Sequence, residues 1–218
     1  MAGVVLVHGL YHDPHHFDLV AAGLRLTGTE VIAPVLHRGS LPADTAAAQA
    51  AVDAMEEPPL VLGHSYGGSV ITGLTGARHL VYLAAFVPDR NESAASLGGS
   101  SHLLRAAIVP EADGSTRLDP DRAADALYAD CPEHLAAWAI GLLRPQSAGC
   151  GRGVPERQSW QNVASTYVTC AADRAIDPAL QRAMATRCGA AREWRTGHSP
   201  FVGRPDLVID LLNELLDG

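Results

Sequence analysis

Leu60-Val61-Leu62-Gly63-His64-Ser65-Tyr66-Gly67-Gly68 begins as an apolar run and breaks into a Gly-x-Ser-x-Gly turn, after which residues 68–75 have the make-up of a helix. A strand, a serine with a glycine two residues to either side, and a helix form the sharp turn that lifts a serine hydroxyl above the end of a sheet. Such a turn is tight, and its glycines let neighbouring backbone pass without a Cβ in the way. The plainer alternative is a Gly/Ser-rich turn that only joins strand to helix. The presence of both flanking elements weighs against it.

Outward from this turn, short β-branched runs alternate with longer Ala- and Leu-rich stretches, the pattern of a parallel sheet with crossover helices. Strands are expected over 4–7, 30–33, 60–62, 79–83, 166–170 and 192–194. Several are apolar on successive residues, as in strands covered on both faces. Helices are expected over 14–26, 42–55, 68–75, 178–188 and 205–216; four of these open with a proline, which suits a first helical turn. The fold class is therefore α/β, a doubly wound, mostly parallel six-stranded sheet. About 80 residues separate the fourth strand from the fifth, far more than a crossover needs. This insertion, 90–157, reads as a small helical cap over one end of the sheet, with helices over 119–129 and 132–143 between polar stretches at 91–101 and 145–153. Residues 1–89 and 158–218 would form the core.

A serine becomes a nucleophile only beside a base, and the base needs a carboxylate to orient it. The chain supplies both in the order Ser, Asp, His. Asp173 lies just past the strand 166–170, and His198, in Thr196-Gly197-His198-Ser199-Pro200, lies between the last strand and the last helix. A lone loop histidine is more often merely solvated; with both partners in order, His198 is expected as the base. Two other carboxylates compete for the acid's place. Asp89 follows Pro88 where the insertion begins, and Asp177, beside Pro178, reads as a helix N-cap. Asp173 is preferred to both. A tetrahedral intermediate needs N–H donors, for which the backbone of Leu10, after Val7-His8-Gly9, and of Tyr66 are placed. Phe86 and Trp138 are candidate pocket walls, although Trp138 shares a face with Leu135, Ala139 and Leu142 that equally suits packing. His12, Asp13, His15 and His16 are dense enough to suggest a metal, but Pro14 sets them at a helix start where neighbours point apart, so no metal is expected.

Composition narrows the rest. The 218 residues are 47% hydrophobic and 18% charged with a net charge of -8, which excludes disorder and leaves no positive field for nucleic acid. Every one of the 16 basic residues is arginine, so Schiff-base chemistry, lysine-held pyridoxal and the P-loop lysine are out, and no cofactor is implied. Only Met1, Ala2 and Gly3 precede the first apolar run, which predicts a cytoplasmic protein without a signal segment. The apolar stretch from Leu135 to Leu143 is about half the ~20 residues of a membrane span, so no membrane partner is expected. Cys131, Cys150, Cys170 and Cys188 form no CxxC pair and read as free thiols.

HGL at 8–10, GHSYGG at 63–68, DRAIDP at 173–178 and GHSPF at 197–201 together resemble the α/β-hydrolase superfamily. They are most similar to its small capped branch of plant methyl-ester esterases, hydroxynitrile lyases and bacterial esterases. The resemblance runs from residue 4 to 216, loosely in the cap except for Leu143-Arg144-Pro145-Gln146. It implies a triad of Ser65, Asp173 and His198 and an oxyanion hole from Leu10 and Tyr66. Residues 35–41 lack the usual PGHG-like turn, and the chain starts at the fold's third strand, so the sheet should be trimmed to six. The function this implies is hydrolysis of a small to medium ester or thioester through an acyl-enzyme on Ser65; a homodimer is compatible with it. Two rivals share the fold: a C–C lyase of the hydroxynitrile type, although those lyases resemble one another in a lysine where this chain has Ser199, and a ligand-binding receptor. The Ala-rich, lysine-free composition points to a GC-rich bacterial genome.

Overall fold

The computed structural model describes residues 3–37 and 39–218. The readings that touch Met1, Ala2 and Arg38 lie outside the described residues. In chain order, β1 is Val4–Val7, α1 Asp18–Leu26, β2 Val31–Ile32, α2 Leu41–Asp53, β3 Leu60–His64, α3 Gly67–Thr72 and β4 His79–Leu83. The insertion then carries α4 His102–Ala107, β5 Ile108–Pro110, β6 Ser115–Leu118, α5 Pro120–Leu127, α6 Glu133–Gly141 and β7 Gln146–Ser147. The core resumes with β8 Ala164–Cys170, α7 Pro178–Ala185, β9 Ala190–Trp194, α8 Pro200–Gly203 and α9 Pro205–Asp217.

Six strands form one sheet in the order β2-β1-β3-β4-β8-β9, and every neighbouring pair is parallel. The side chains of each strand alternate between two cores. Val4, Leu6, Leu60, Leu62, Val81 and Leu83 face α1 and α9, while Val5, Val7, Val61, Leu80, Tyr82 and Tyr167 face α2, α3 and α7. Both faces are therefore dry, which is why β1 and β3 are apolar on successive residues and wholly buried. The edge strand β9 is largely exposed. Strand order reverses between β1 and β3, and in an open α/β sheet the crevice at the carboxyl ends of such strands is where ligands bind.

The insertion is less purely helical than its composition suggests. Beside three helices it holds a small antiparallel sheet, β5-β6-β7, whose strands are too short and mixed in composition to announce themselves. Leu104, Leu118, Ala123 and Leu127 join the same buried cluster as β1 and α9, so this segment shares the domain's core. The helix expected over 14–26 begins instead with a single tight 3₁₀ turn, Pro14–Phe17, capped by the Asp13 side chain. The helix after Ser65 ends three residues early, at Thr72. Among the described residues, no helix is long and apolar enough to cross a membrane.

Candidate active site

Ser65 follows β3 directly and takes a left-handed backbone with φ of 54°, a conformation that costs a non-glycine residue of order 1–3 kcal/mol and persists only where the surroundings enforce it. Those surroundings are dense. The Ser65 N–H donates to the Leu83 carbonyl at 3.2 Å, and the Ser65 carbonyl accepts from Phe86 at 3.1 Å and from Gly68 at 3.0 Å. A Cβ on Gly67 would sit 2.5 Å from the Val7 carbonyl oxygen, and one on Gly63 would sit 2.6 Å from that of Gly67. Both glycines are thus required by backbone passing over backbone.

His198 is buried in the loop between β9 and α8. Its Nδ1 lies 2.7 Å from Asp173 Oδ2, with both side chains almost wholly enclosed. Asp173 stands in the turn after β8, and four donors converge on its carboxylate. Oδ1 accepts from the N–H groups of Ala175 at 2.6 Å and Ile176 at 3.0 Å, and Oδ2 accepts from Gln181 Nε2 at 2.6 Å as well as from His198. A carboxylate so bonded is immobile, and as the acceptor of the His198 Nδ1–H it fixes that tautomer and leaves Nε2 as the ring's acceptor nitrogen. The rival carboxylates are occupied elsewhere. Asp177 caps α7 through the Ala179 N–H at 2.8 Å, and Asp89 bonds the N–H of Arg90.

Ser65 and His198 open onto one cavity, which Leu10, Tyr66 and Phe86 also line. The backbone N–H groups of Leu10 and Tyr66 enter no protein hydrogen bond among the described residues, so both are available to an anionic oxygen. The phenol of Tyr66 turns away and donates to the buried Asp44 at 2.9 Å; burial, then that carboxylate, push its pKa far up. Trp138 is not on this cavity. It packs against His16, 6.3 Å between ring centroids, beside the buried cluster that the insertion shares with β1 and α9.

Several residues that shape the site escaped the sequence reading. His64 is fully buried, lies 2.9 Å through Nε2 from the His198 carbonyl, and has its ring 4.5 Å from that of His198. Since a carbonyl only accepts, Nε2 carries the proton and Nδ1, which has no partner among the described residues, is bare. Gln181 lies on the buried stripe of α7 with Met184 and Ala185, a polar residue at an apolar position, and that is the signal that could have found it. Asp130, just after α5, accepts the Gly197 N–H at 2.5 Å and so ties the insertion to the base loop. The histidine cluster near residue 12 does similar work. His12 Nε2 meets the Tyr128 hydroxyl at 3.1 Å, and His16 Nε2 donates to the Ala139 carbonyl at 2.9 Å, joining the first loop to the insertion. Burial, reinforced by neighbouring imidazoles, holds the pKa values of His12 and His64 well below the usual histidine range. Burial also raises the thiols of Cys131 and Cys188, to about 12 and about 11, so they stay protonated near neutrality.

A parallel sheet, a strained serine after its third strand and a buried Asp–His pair beside it define an α/β hydrolase. The chain belongs to the alpha/beta hydrolase family, whose model matches residues 4–211. It is similar to an alpha/beta hydrolase, nvfD, from Aspergillus novofumigatus, 25% identical over 96% of this chain and 94% of that one. It is also similar to a carbendazim hydrolyzing esterase from Nocardioides sp., 32% identical over 74% of this chain and 67% of the relative. Among solved structures, a pyrethroid hydrolase from Sphingobium faniae superposes with a TM-score of 0.86 at 19% identity, over 100% of this chain and 98% of the other, a likeness of fold.

Proposed function

We propose that the protein is a serine hydrolase that cleaves a small to medium carboxylic ester or thioester through an acyl-enzyme on Ser65. The observation that carries this reading is the 2.7 Å bond from His198 Nδ1 to Asp173, on a cavity shared with Ser65 and two unspent N–H groups. His198 Nε2 takes the Ser65 proton as the oxygen attacks the ester carbonyl. The resulting oxyanion lies against the N–H groups of Leu10 and Tyr66. As the tetrahedral intermediate collapses, the leaving alcohol or thiol takes that proton from His198. Water then attacks the acyl-enzyme by the same route and frees the acid and Ser65. Residues 90–157 act as a cap that shapes the substrate cavity. The Nocardioides and Sphingobium proteins, named for hydrolysis of small molecules, support the substrate class.

The test is labelling with a fluorophosphonate together with a panel of p-nitrophenyl and methyl esters of varied acyl length. Covalent label on Ser65 and turnover of at least one ester are expected. Labelling at another residue, or none, would overturn the assignment.

A further inference from the structure

The cavity above Ser65 holds about 410 Å³, within the range of small-ligand sites. Leu10, Phe86, Leu104, Ile108, Leu127 and Ile176 give it apolar walls. Two guanidinium-bearing residues, Arg105 on α4 and Arg152 in the turn 150–152, line it as well, and no aspartate or glutamate does among the described residues. That balance runs against the chain as a whole, in which 24 acidic side chains face 16 basic ones.

Some arginines elsewhere are paired with carboxylates, while Arg25, Arg78 and Arg122 donate to backbone carbonyls on the surface away from this cavity. Arg174, Arg187 and Arg192 each hold a carboxylate, of Asp125, Glu92 and Glu214 respectively. Neither Arg105 nor Arg152 has a carboxylate partner among the described residues. Arg105 instead donates to the Ser100 carbonyl, a residue of the same cavity wall, and that contact limits its range of positions. His12 also lines the cavity, but burial keeps its imidazole neutral, so the lasting positive charge there belongs to the two arginines. A guanidinium is always charged and presents a planar set of donors that matches a carboxylate.

We infer that the preferred substrate is an ester bearing a carboxylate at the end remote from the scissile bond, with Arg105 and Arg152 as the residues that select it. The inference rests on the hydrolase reading and narrows its substrate class. The apolar wall takes up the connecting chain, and the cationic residues receive the far end. A neutral ester of equal length binds without that second contact.

The experiment compares monomethyl adipate with methyl hexanoate, and a butyrate ester of 4-hydroxybutanoate with butyl butyrate, so that the carboxylate sits on the acyl or the alcohol side. In at least one pair, kcat/KM for the anionic ester should exceed that for the neutral one on the order of tenfold at low salt, and the gap should narrow as salt screens the contact. Arg105→Gln and Arg152→Gln should each reduce the preference and together remove it, with neutral-ester turnover and fluorophosphonate labelling unchanged. Equal or lower kcat/KM for both anionic esters, or a preference that survives the double substitution, would overturn the inference. If Ser65 is not labelled and no ester turns over, the hydrolase reading fails instead. Calorimetry of Ser65→Ala with monomethyl adipate and methyl hexanoate then still decides the charge preference, since it reads binding alone.

Discussion

Ser65 is held in a left-handed conformation by its neighbours' backbone and not by its own side chain, so removing the hydroxyl should leave the turn intact. Ser65→Ala is expected to lose on the order of 10⁴-fold or more in kcat with unchanged thermal unfolding; turnover at the parent rate would discard the nucleophile. Among the acids, Asp173→Asn should cost on the order of 10²- to 10⁴-fold in kcat, because an amide there disturbs the tautomer that leaves Nε2 bare. Asp89→Asn and Asp177→Asn, whose carboxylates bond local backbone N–H groups, should cost under ~10-fold on the same ester. The placement of these three residues was legible in the sequence because each sits in a short motif: a serine between glycines, an aspartate just past a strand, a histidine before a Pro-led helix. His64 was not legible as a support, because its partner, the His198 carbonyl, lies 134 residues away and only folding brings them to 2.9 Å. Replacing it by Leu removes the donor and leaves a buried carbonyl unpaired. kcat/KM should fall on the order of tenfold in His64→Leu and recover in part in His64→Gln, whose amide can donate to the same oxygen. Equal losses in both variants would reduce His64 to a space-filling role.

At the scale of elements, α7 carries more than its apolar stripe. Gln181 donates to Asp173 and to the Ile176 carbonyl while its own oxygen accepts the Cys170 N–H at 2.9 Å, so one buried amide braces the end of β8 and the turn that follows. Gln181→Leu keeps most of the volume but strands the Cys170 N–H and the Ile176 carbonyl, and it should destabilise the protein by about 1–3 kcal/mol in urea unfolding. A neutral result would mean that α7 is held by packing alone. Most core strands and helices could be read from sequence because β1 and the start of β3 are continuous apolar runs, as strands covered on both faces require, and α9 repeats its apolar residues at helical spacing. The β5-β6-β7 sheet could not. Its strands read Ile-Val-Pro, Ser-Thr-Arg-Leu and Gln-Ser, too short for a period, and β7 finds β6 only after two intervening helices. The contact of Asp130 with Gly197 belongs to the same category, since nothing in either local sequence announces the other.

Across the whole molecule, the buried imidazoles make stability depend on pH in a direction that can be worked out. His12 and His64 are packed 5.2 Å apart between ring centroids, and burial followed by neighbouring imidazoles depresses both pKa values well below 6.5 in the folded protein. In the unfolded chain both return to about 6.5. Above that pH both groups are neutral in either state and contribute no pH dependence. Below it the unfolded chain binds protons that the folded protein refuses, so stability is lost as pH falls from about 6.5 toward the depressed folded values. Each such histidine contributes a slope of up to about 1.4 kcal/mol per pH unit. Paired carboxylates do not obscure the window. Glu193 and Asp206, each bonded by an arginine, have pKa values lowered from 4.5 and 3.8, so their contribution is lost only in more acid solution. Urea unfolding of the parent, His12→Gln and His64→Gln between pH 6.5 and 5 should therefore show the steepest loss in the parent and a shallower slope in each variant, by up to about one proton's worth. Each variant also changes stability at pH 7, so the slope and not the midpoint is the measure. Identical slopes in all three proteins would mean that the buried histidines take up their protons in the folded state, and would place the source of acid sensitivity elsewhere in the fold.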